Sequence, residues 1–238
     1  MRSGKRVLVV IPARGGSKGI PQKNITLVAN KPLLSYTTEL LRELPWVDQA
    51  LVSTDDPDVA AEAIRADTAE IVWRPKELAG DRVGDMPVLA HALQESESEI
   101  SGAFDVVVML QPTSPLRSAA EVEACVDTLI DGSWDAVWTV SETDLAYHPQ
   151  KQVKLSPDGT LSFFHESGPH IVARQELEPA FHRNGVCYAF TADFVATAKS
   201  VIAEGHTTAI VTPGLHISID TPGDLLAVER EIRSRLGS

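Results

Sequence analysis

Cysteine is almost absent. Cys125 and Cys187 show no C-x-x-C spacing and no neighbouring cluster of Cys or His, which excludes a disulfide scaffold and a zinc knuckle and leaves them as small core residues. No uninterrupted apolar run approaches the roughly eighteen residues of a membrane-spanning helix. The opening MRSGKRVLVVIPARGG lacks a long apolar stretch followed by a small-residue cleavage site, so Val7–Pro12 reads as a buried strand and the expected location is the cytoplasm. Among the seven histidines there is no H-x-E or H-E-x-x-H spacing. His165 and His170 read as surface residues. Acid is missing from the first 38 residues, where Arg2, Lys5, Arg6, Arg14, Lys18, Lys23 and Lys31 all fall, although the whole chain carries a formal charge of −12. That net charge argues against a nucleic-acid partner, and the local asymmetry points to a small polyanion held at one place.

What is present is an alternation. Compact β-rich runs occur at 6–13, 50–54, 70–73, 104–111, 135–140, 186–190 and 208–212, with helix-like segments at about 33–44, 57–66, 86–98, 119–131, 191–203 and 222–236. Strands alternating with helices predict an α/β fold of one domain over 1–238, with a mainly parallel sheet covered on both faces. The alternation fails once, between about 145 and 183, where a polar, His- and Pro-containing stretch carries LSPDG as a hairpin turn. It reads as an inserted hairpin, lid or dimerisation arm.

In an open parallel sheet, ligands sit beyond the carboxyl ends of the strands. The residues there include Arg14–Asn24, Asp55–Asp56, Arg74, Gln111–Arg117 and Asp220. In the loop IPARGGSKGIPQKN, Gly15, Gly16 and Gly19 are expected to take positive φ and offer backbone N–H groups to an anion. Arg14 supplies a bidentate fork and Lys18 a movable point charge. A solvated glycine turn would share this composition; the coincidence of strand end, cations and missing acids favours a triphosphate. The dinucleotide fingerprint would need glycine where Arg14 stands, and the P-loop needs a Gly-Lys pair that is not there. Gly15–Gly19 match G-x-S-x-G literally, but Ser17 lies in a wide cationic loop and the match reads as coincidence. Asp220 precedes Thr221-Pro222, which look like the N-cap and first position of the last helix. Its carboxylate either complements the helix dipole or ligates a hard cation, and the second reading is preferred. Arg117 reads as a structural, ion-pairing residue near the next helix.

IPARGGSKGIPQKNI resembles the signature of the CMP-sialic acid synthetase (acylneuraminate cytidylyltransferase) family, and LQPTSPLR at 110–117 is similar to its second motif. STDD, RPKELAGD, RQ at 174–175, RNGVCY and IDTPGDL follow in the expected order, so the resemblance spans nearly the whole chain. It implies a Rossmann-like, glycosyltransferase-A-like nucleotidyltransferase fold that joins CTP to an acidic sugar with Mg²⁺ and releases pyrophosphate. It also implies a homodimer whose inserted arm reaches the partner's sugar site. By motif position it implies nucleotide binding by Ala13, Arg14, Gly15, Gly16, Ser17, Lys18, Lys23, Asn24, Arg74 and Asp85. Arg14, Lys18 and Asp220 become catalytic residues, with Asp220 the metal ligand. Gln111, Lys151, Arg174 and Tyr188 become sugar-binding residues, Arg174 offering its fork to the carboxylate.

Two departures bear on chemistry. Relatives often carry two carboxylates where this chain has Ser218-Ile219-Asp220, so metal is expected to be held by Asp220, waters and phosphates, with Asp224 too far into the helix to substitute. Asp85 stands where a small hydroxyl residue is usual, which opens the acceptor to legionaminic, pseudaminic, deaminated or phosphonate acids. A nucleotide-binding regulatory protein without turnover and a dinucleotide oxidoreductase are the rival classes, the latter weakened by the missing fingerprint.

Overall fold

The computed structural model describes residues 1–99 and 102–236. The first half of the chain supplies β1 (Val7–Pro12), the short pair β2 (Leu27–Val28) and β3 (Lys31–Pro32), β4 (Gln49–Thr54), β5 (Glu70–Trp73) and β6 (Val106–Met109). The second half adds β7 (Ala136–Glu142), β8 (Val153–Leu155), β9 (Leu161–Phe163), β10 (Phe181–Thr191) and β11 (Thr207–Val211). Among the described residues the α-helices are α1 (Leu33–Leu40), α2 (Pro57–Ala66), α3 (Asp85–Glu99), α4 (Ala119–Asp131), α5 (Ala192–Thr197) and, after the last strand, α6 (Pro222–Leu236).

Seven strands form one sheet in the order β11-β7-β10-β6-β1-β4-β5, parallel throughout except for β10, which runs antiparallel to both β6 and β7. From β1 the chain moves outward to β4 and β5, then returns to β6 on the other side of β1. Connections therefore diverge above the carboxyl ends of β1 and β6, opening the crevice in which ligands of such sheets sit.

The β-branched runs of β1 and β6 are buried on both faces, as a central parallel strand requires. Val7, Val9, Ile11, Val52 and Val108 pack against α1, α2 and α4, while Leu8, Val10, Leu51 and Met109 pack against α3 and α5. A third cluster joins Ile219, Val228 and Ile232 to Ile20, Leu33 and Leu116. Fully burying such aliphatic side chains contributes roughly 1.5–3 kcal/mol each. The consequence for function is positional: α6 and the segment before it are fixed over the loop that follows β1.

Helices at 57–66, 119–131 and 222–236 fall where the periodicity placed them. Their starts are chemically marked. Asp56 accepts from Asp58 N and Val59 N, Ser118 and Glu121 form a capping box, and Thr221 and Asp224 cap α6 reciprocally. Two expected helices are shorter. The 33–44 segment tightens into a 3-10 turn after Leu40. The 191–203 segment is helical only to Thr197; Ala198 is extended, and Val201 beyond it packs on the core, where Trp138 Nε1 donates to Val201 O at 3.2 Å.

The insertion spans 143–180, and Phe181–Arg183, expected to belong to it, instead pair with β7 as the start of β10. Within it β8 and β9 form the hairpin anticipated from LSPDG, closed by Ser156 N to Thr160 O at 2.9 Å, with Gly159 at φ 85°.

Candidate functional site

The loop after β1 is held by backbone and by acids distant in sequence. Ala13 N donates to Ser53 O at 2.9 Å, and the buried Asn24 donates through Nδ2 to Arg14 O at 2.8 Å. Gly15 N donates to Asp55 Oδ1 at 3.0 Å, so this amide is committed to the protein. Neither Gly15, Gly16 nor Gly19 adopts positive φ, which corrects the expected anion nest. Two of them are glycine for lack of room: a Cβ at Gly15 would strike the Asp56 carboxylate, and one at Gly19 would lie 2.5 Å from Asp220 O. A Cβ at Gly16 would meet nothing within 4 Å.

Beyond this loop lies a cavity of about 340 Å³, within the range of small-ligand pockets. Its floor is at Pro12 and Gln111, the carboxyl ends of β1 and β6. Arg14, Ser17, Lys23 and Asn24 line it from the first loop; Arg74 and Asp85 line a second wall, and Ser218 and Asp220 close it from the segment before α6. Eight residues singled out from sequence are thus brought together. Gly15, Gly16 and the buried Ala13 contribute loop backbone and do not line the cavity, and Lys18 stands at its rim with its side chain 83% exposed. Lys151 and Arg174 are exposed on the insertion and do not line it. Tyr188 is buried behind it, edge-on to Trp138 at 5.5 Å.

The cations without acidic neighbours in sequence are ringed by carboxylates in space. Asp81 bridges two of them, Oδ1 to Arg14 Nη1 at 2.8 Å and Oδ2 to Lys18 Nζ at 2.5 Å. Hydrogen bonds from Lys18 and then Arg14 hold the Asp81 carboxyl below the usual carboxylate range. Lys23 Nζ donates to Asp220 Oδ1 and to Ile219 O, both at 2.9 Å. Asp81 sits inside the RPKELAGD motif but drew no role from sequence. The signal that would have found it is its place after the carboxyl end of β5, the same rule that identified the other loops.

Arg74 is buried, with its guanidinium donating to Ser53 Oγ at 3.2 Å and Ser53 O at 3.0 Å. Burial lowers its pKa from the ordinary arginine value. Burial likewise raises the Asp85 carboxyl, against the opposing pull of Arg183 and Arg74. Arg117 is structural, as expected, but it acts through hydrogen bonds where an ion pair was expected. It is buried beneath the Gln111–Ser114 loop, donating to Thr37 Oγ1 at 3.2 Å, Gly185 O at 3.3 Å and Gln111 O. Its pKa, lowered by burial to about 10, leaves it charged at neutral pH. Its role is to fix the loop that presents Gln111.

Fold and cavity together define a nucleotidyltransferase-type α/β protein with a crevice, lined by cations and the carboxylates that meet them, at the point where strand order reverses. The chain belongs to the cytidylyltransferase family, whose sequence model matches residues 8–201. It is 29% identical over 220 residues to the pseudaminic acid cytidylyltransferase of Campylobacter jejuni, covering 92% of each chain. It is also 29% identical over 232 residues to the CMP-N,N'-diacetyllegionaminic acid synthase of Legionella pneumophila, covering 94% of this chain and 95% of that one. Among solved structures, CMP:2-keto-3-deoxy-manno-octonic acid synthetase complexed with CTP shares the fold, with a TM-score of 0.69 at 19% identity over 97% of this chain and 99% of that one.

Proposed function

We propose that this enzyme joins CTP to an acidic 2-keto sugar of the sialic, legionaminic or pseudaminic class, giving the CMP-sugar and pyrophosphate. The observation that carries the reading is the convergence of Arg14, Lys18 and Lys23, each on a carboxylate, at one crevice in a chain of this family. In the reaction an acceptor hydroxyl attacks the α-phosphorus and pyrophosphate leaves, taking up negative charge. Catalysis is then mostly positioning and electrostatic stabilisation. In this reading Arg14 and Lys18 receive the phosphates, Lys23 and Asn24 complete that subsite, and Gln111 meets the acceptor at the crevice floor.

Magnesium fits the donor set in one limited way. Asp220 offers a single carboxylate to the cavity, its side chain 70% exposed, and Ser218 beside it offers a hydroxyl. Among the described residues no cluster of three or more His, Cys, Asp or Glu side chains forms a metal cage. Mg²⁺ characteristically takes one or two carboxylates plus phosphate oxygens and waters, so Asp220 would hold it together with the nucleotide. When bound it would neutralise phosphate charge.

The insertion supports a homodimer. Leu155 is 72% exposed, Leu161 63%, Phe164 66% and Val172 90%, an apolar surface that a second copy would cover. Lys151 and Arg174 lie on that insertion, so their sugar-binding role requires them to serve a partner's crevice.

Pyrophosphate release on incubation with CTP, Mg²⁺ and a panel of 2-keto acid sugars tests the reading. Release with at least one acid is expected. CTP binding with no release across the panel would leave a regulatory nucleotide binder instead.

A further inference from the structure

We propose that Arg183 binds the carboxylate of the acceptor sugar, from the same chain that holds the nucleotide; this rests on the cytidylyltransferase reading above. Arg183 pairs with Val140 and Tyr188 with Trp138, so residues 184–187 all stand opposite the single residue Thr139. A bulge of this size bends the strand and re-aims the side chains beside it.

This bulge is rigid. Thr139 Oγ1 lies 2.8 Å from Asn184 Oδ1 and accepts from Cys187 N at 2.9 Å, while Asn184 Nδ2 donates to Ser141 Oγ at 3.0 Å and Thr212 Oγ1 at 2.6 Å. Gly185 sits at φ 71°, and a Cβ there would lie 2.5 Å from Ser114 Oγ and 3.3 Å from Gln111 Oε1. The bulge is therefore packed against the Gln111 side chain that lines the cavity, and Arg183 is the residue that leads into it.

The side chain itself is poised and uncommitted. Its guanidinium lies over the Trp138 ring at 5.6 Å from the centroid, and it makes no hydrogen bond or ion pair with a described residue. A stacked arginine keeps its edge donors free, and its planar fork matches a carboxylate bidentately. Arg183 does not itself line the cavity, but its charge acts on the carboxyl of Asp85, which does, while its bulge packs against Gln111. Most exposed arginines are solvated surface charges. This one differs in being mounted on a strand, seated on an aromatic ring and anchored by a bulge that touches Gln111. Arg174, by contrast, stands in a short turn of the insertion with no aromatic seat.

The test compares Arg183→Gln, Arg183→Lys and Arg174→Gln in the full chain. Initial rates give KM for each substrate, and calorimetry gives CTP affinity. Competition between a turned-over acid and its carboxamide, in which only the charge is removed, isolates carboxylate recognition. Arg183→Gln is expected to raise KM for the acid at least about tenfold, leave CTP affinity within twofold and erase the preference for acid over amide. Arg183→Lys should restore only part, because an ammonium lacks the fork. An unchanged acid KM, equal losses for acid and amide, or an acid preference erased by Arg174→Gln alone would overturn the assignment. If wild-type protein neither binds nor turns over any acid of the panel, the parent reading fails and this proposal with it, an outcome visible before any variant is made.

Discussion

In the crevice, Arg14, Lys18 and Lys23 each rest on a carboxylate of the same chain, Asp81 or Asp220. Along the insertion, Tyr147 at 73% exposure, Leu155 at 72% and Val172 at 90% have little to rest on. The first region is compensated from within: an entering polyanion exchanges partners with groups already in place, so binding energy is gained as a difference between two sets of ion pairs. The second region is uncompensated. Its apolar surface stays in water unless another surface covers it, at roughly 25 cal/mol for each Å² buried. Charge placed for a ligand can be held in waiting by the fold, but apolar area placed for a partner cannot.

The largest loss is expected at Lys18. Removing a cation proposed to meet the charge developing on the leaving group is expected to cost about 3 kcal/mol of transition-state stabilisation, on the order of a hundredfold in turnover. Lys18→Ala is measured by pyrophosphate release at saturating CTP, and unchanged turnover would remove Lys18 from the mechanism. On the other side, Leu155→Ser combined with Leu161→Ser withdraws two exposed leucines from the proposed dimer surface. Each is worth about 1.5–3 kcal/mol if fully covered, so dimer dissociation should rise by roughly a hundredfold or more, seen by sedimentation velocity. CTP affinity should hold, since neither residue lines the cavity. A mass that does not depend on these residues at any concentration would sink the dimer surface.

A smaller effect sharpens the idea of internal compensation. Asp81 occupies the cations that the triphosphate is proposed to take, so Asp81→Asn should tighten CTP binding, on the order of two- to fivefold for an exposed ion pair. Weaker binding by calorimetry would mean that Asp81 positions Arg14 and Lys18 more than it competes for them.

Much of this was legible along the chain, and what was not has a common cause. The strand end, the cations and the helix starts at Asp56, Ser118 and Thr221 are local features, readable within a few residues. Asp81 meets Arg14 across 67 positions, so the ring of acids around an acid-free loop could not be seen. Gly15 was read for backbone freedom when the constraint is the Asp56 carboxylate packed against it. Arg117 reads as structural from sequence, but its hydrogen-bond partners at Thr37 and Gly185, 80 and 68 positions away, are not legible there. The β10 bulge hid behind Arg183-Asn184-Gly185, a polar triplet that precedes a strand in the sequence reading yet lies within one in space.

Asp85 is the exception to compensation within the crevice, and its titration offers the finest test. It lines the cavity, but among the described residues it makes no ion pair. Burial raises its carboxyl, and Arg183 and Arg74 only partly oppose that. With the folded value above the unfolded one, the unfolded chain gives up its proton first as pH rises. Stability contributed by the protonated group is therefore fully present below the ordinary aspartate range and is lost as pH climbs through the raised value. Wild-type stability should fall relative to Asp85→Asn across that window, with a slope no steeper than about 1.4 kcal/mol per pH unit, and run parallel to it above. Urea unfolding of both proteins from about pH 4 to pH 8 measures the difference. Arg183→Gln, by removing one of the two restraining charges, should widen the window upward. A difference that does not change with pH would mean that Asp85 titrates alike in the folded and unfolded chains, its burial fully offset by Arg183 and Arg74.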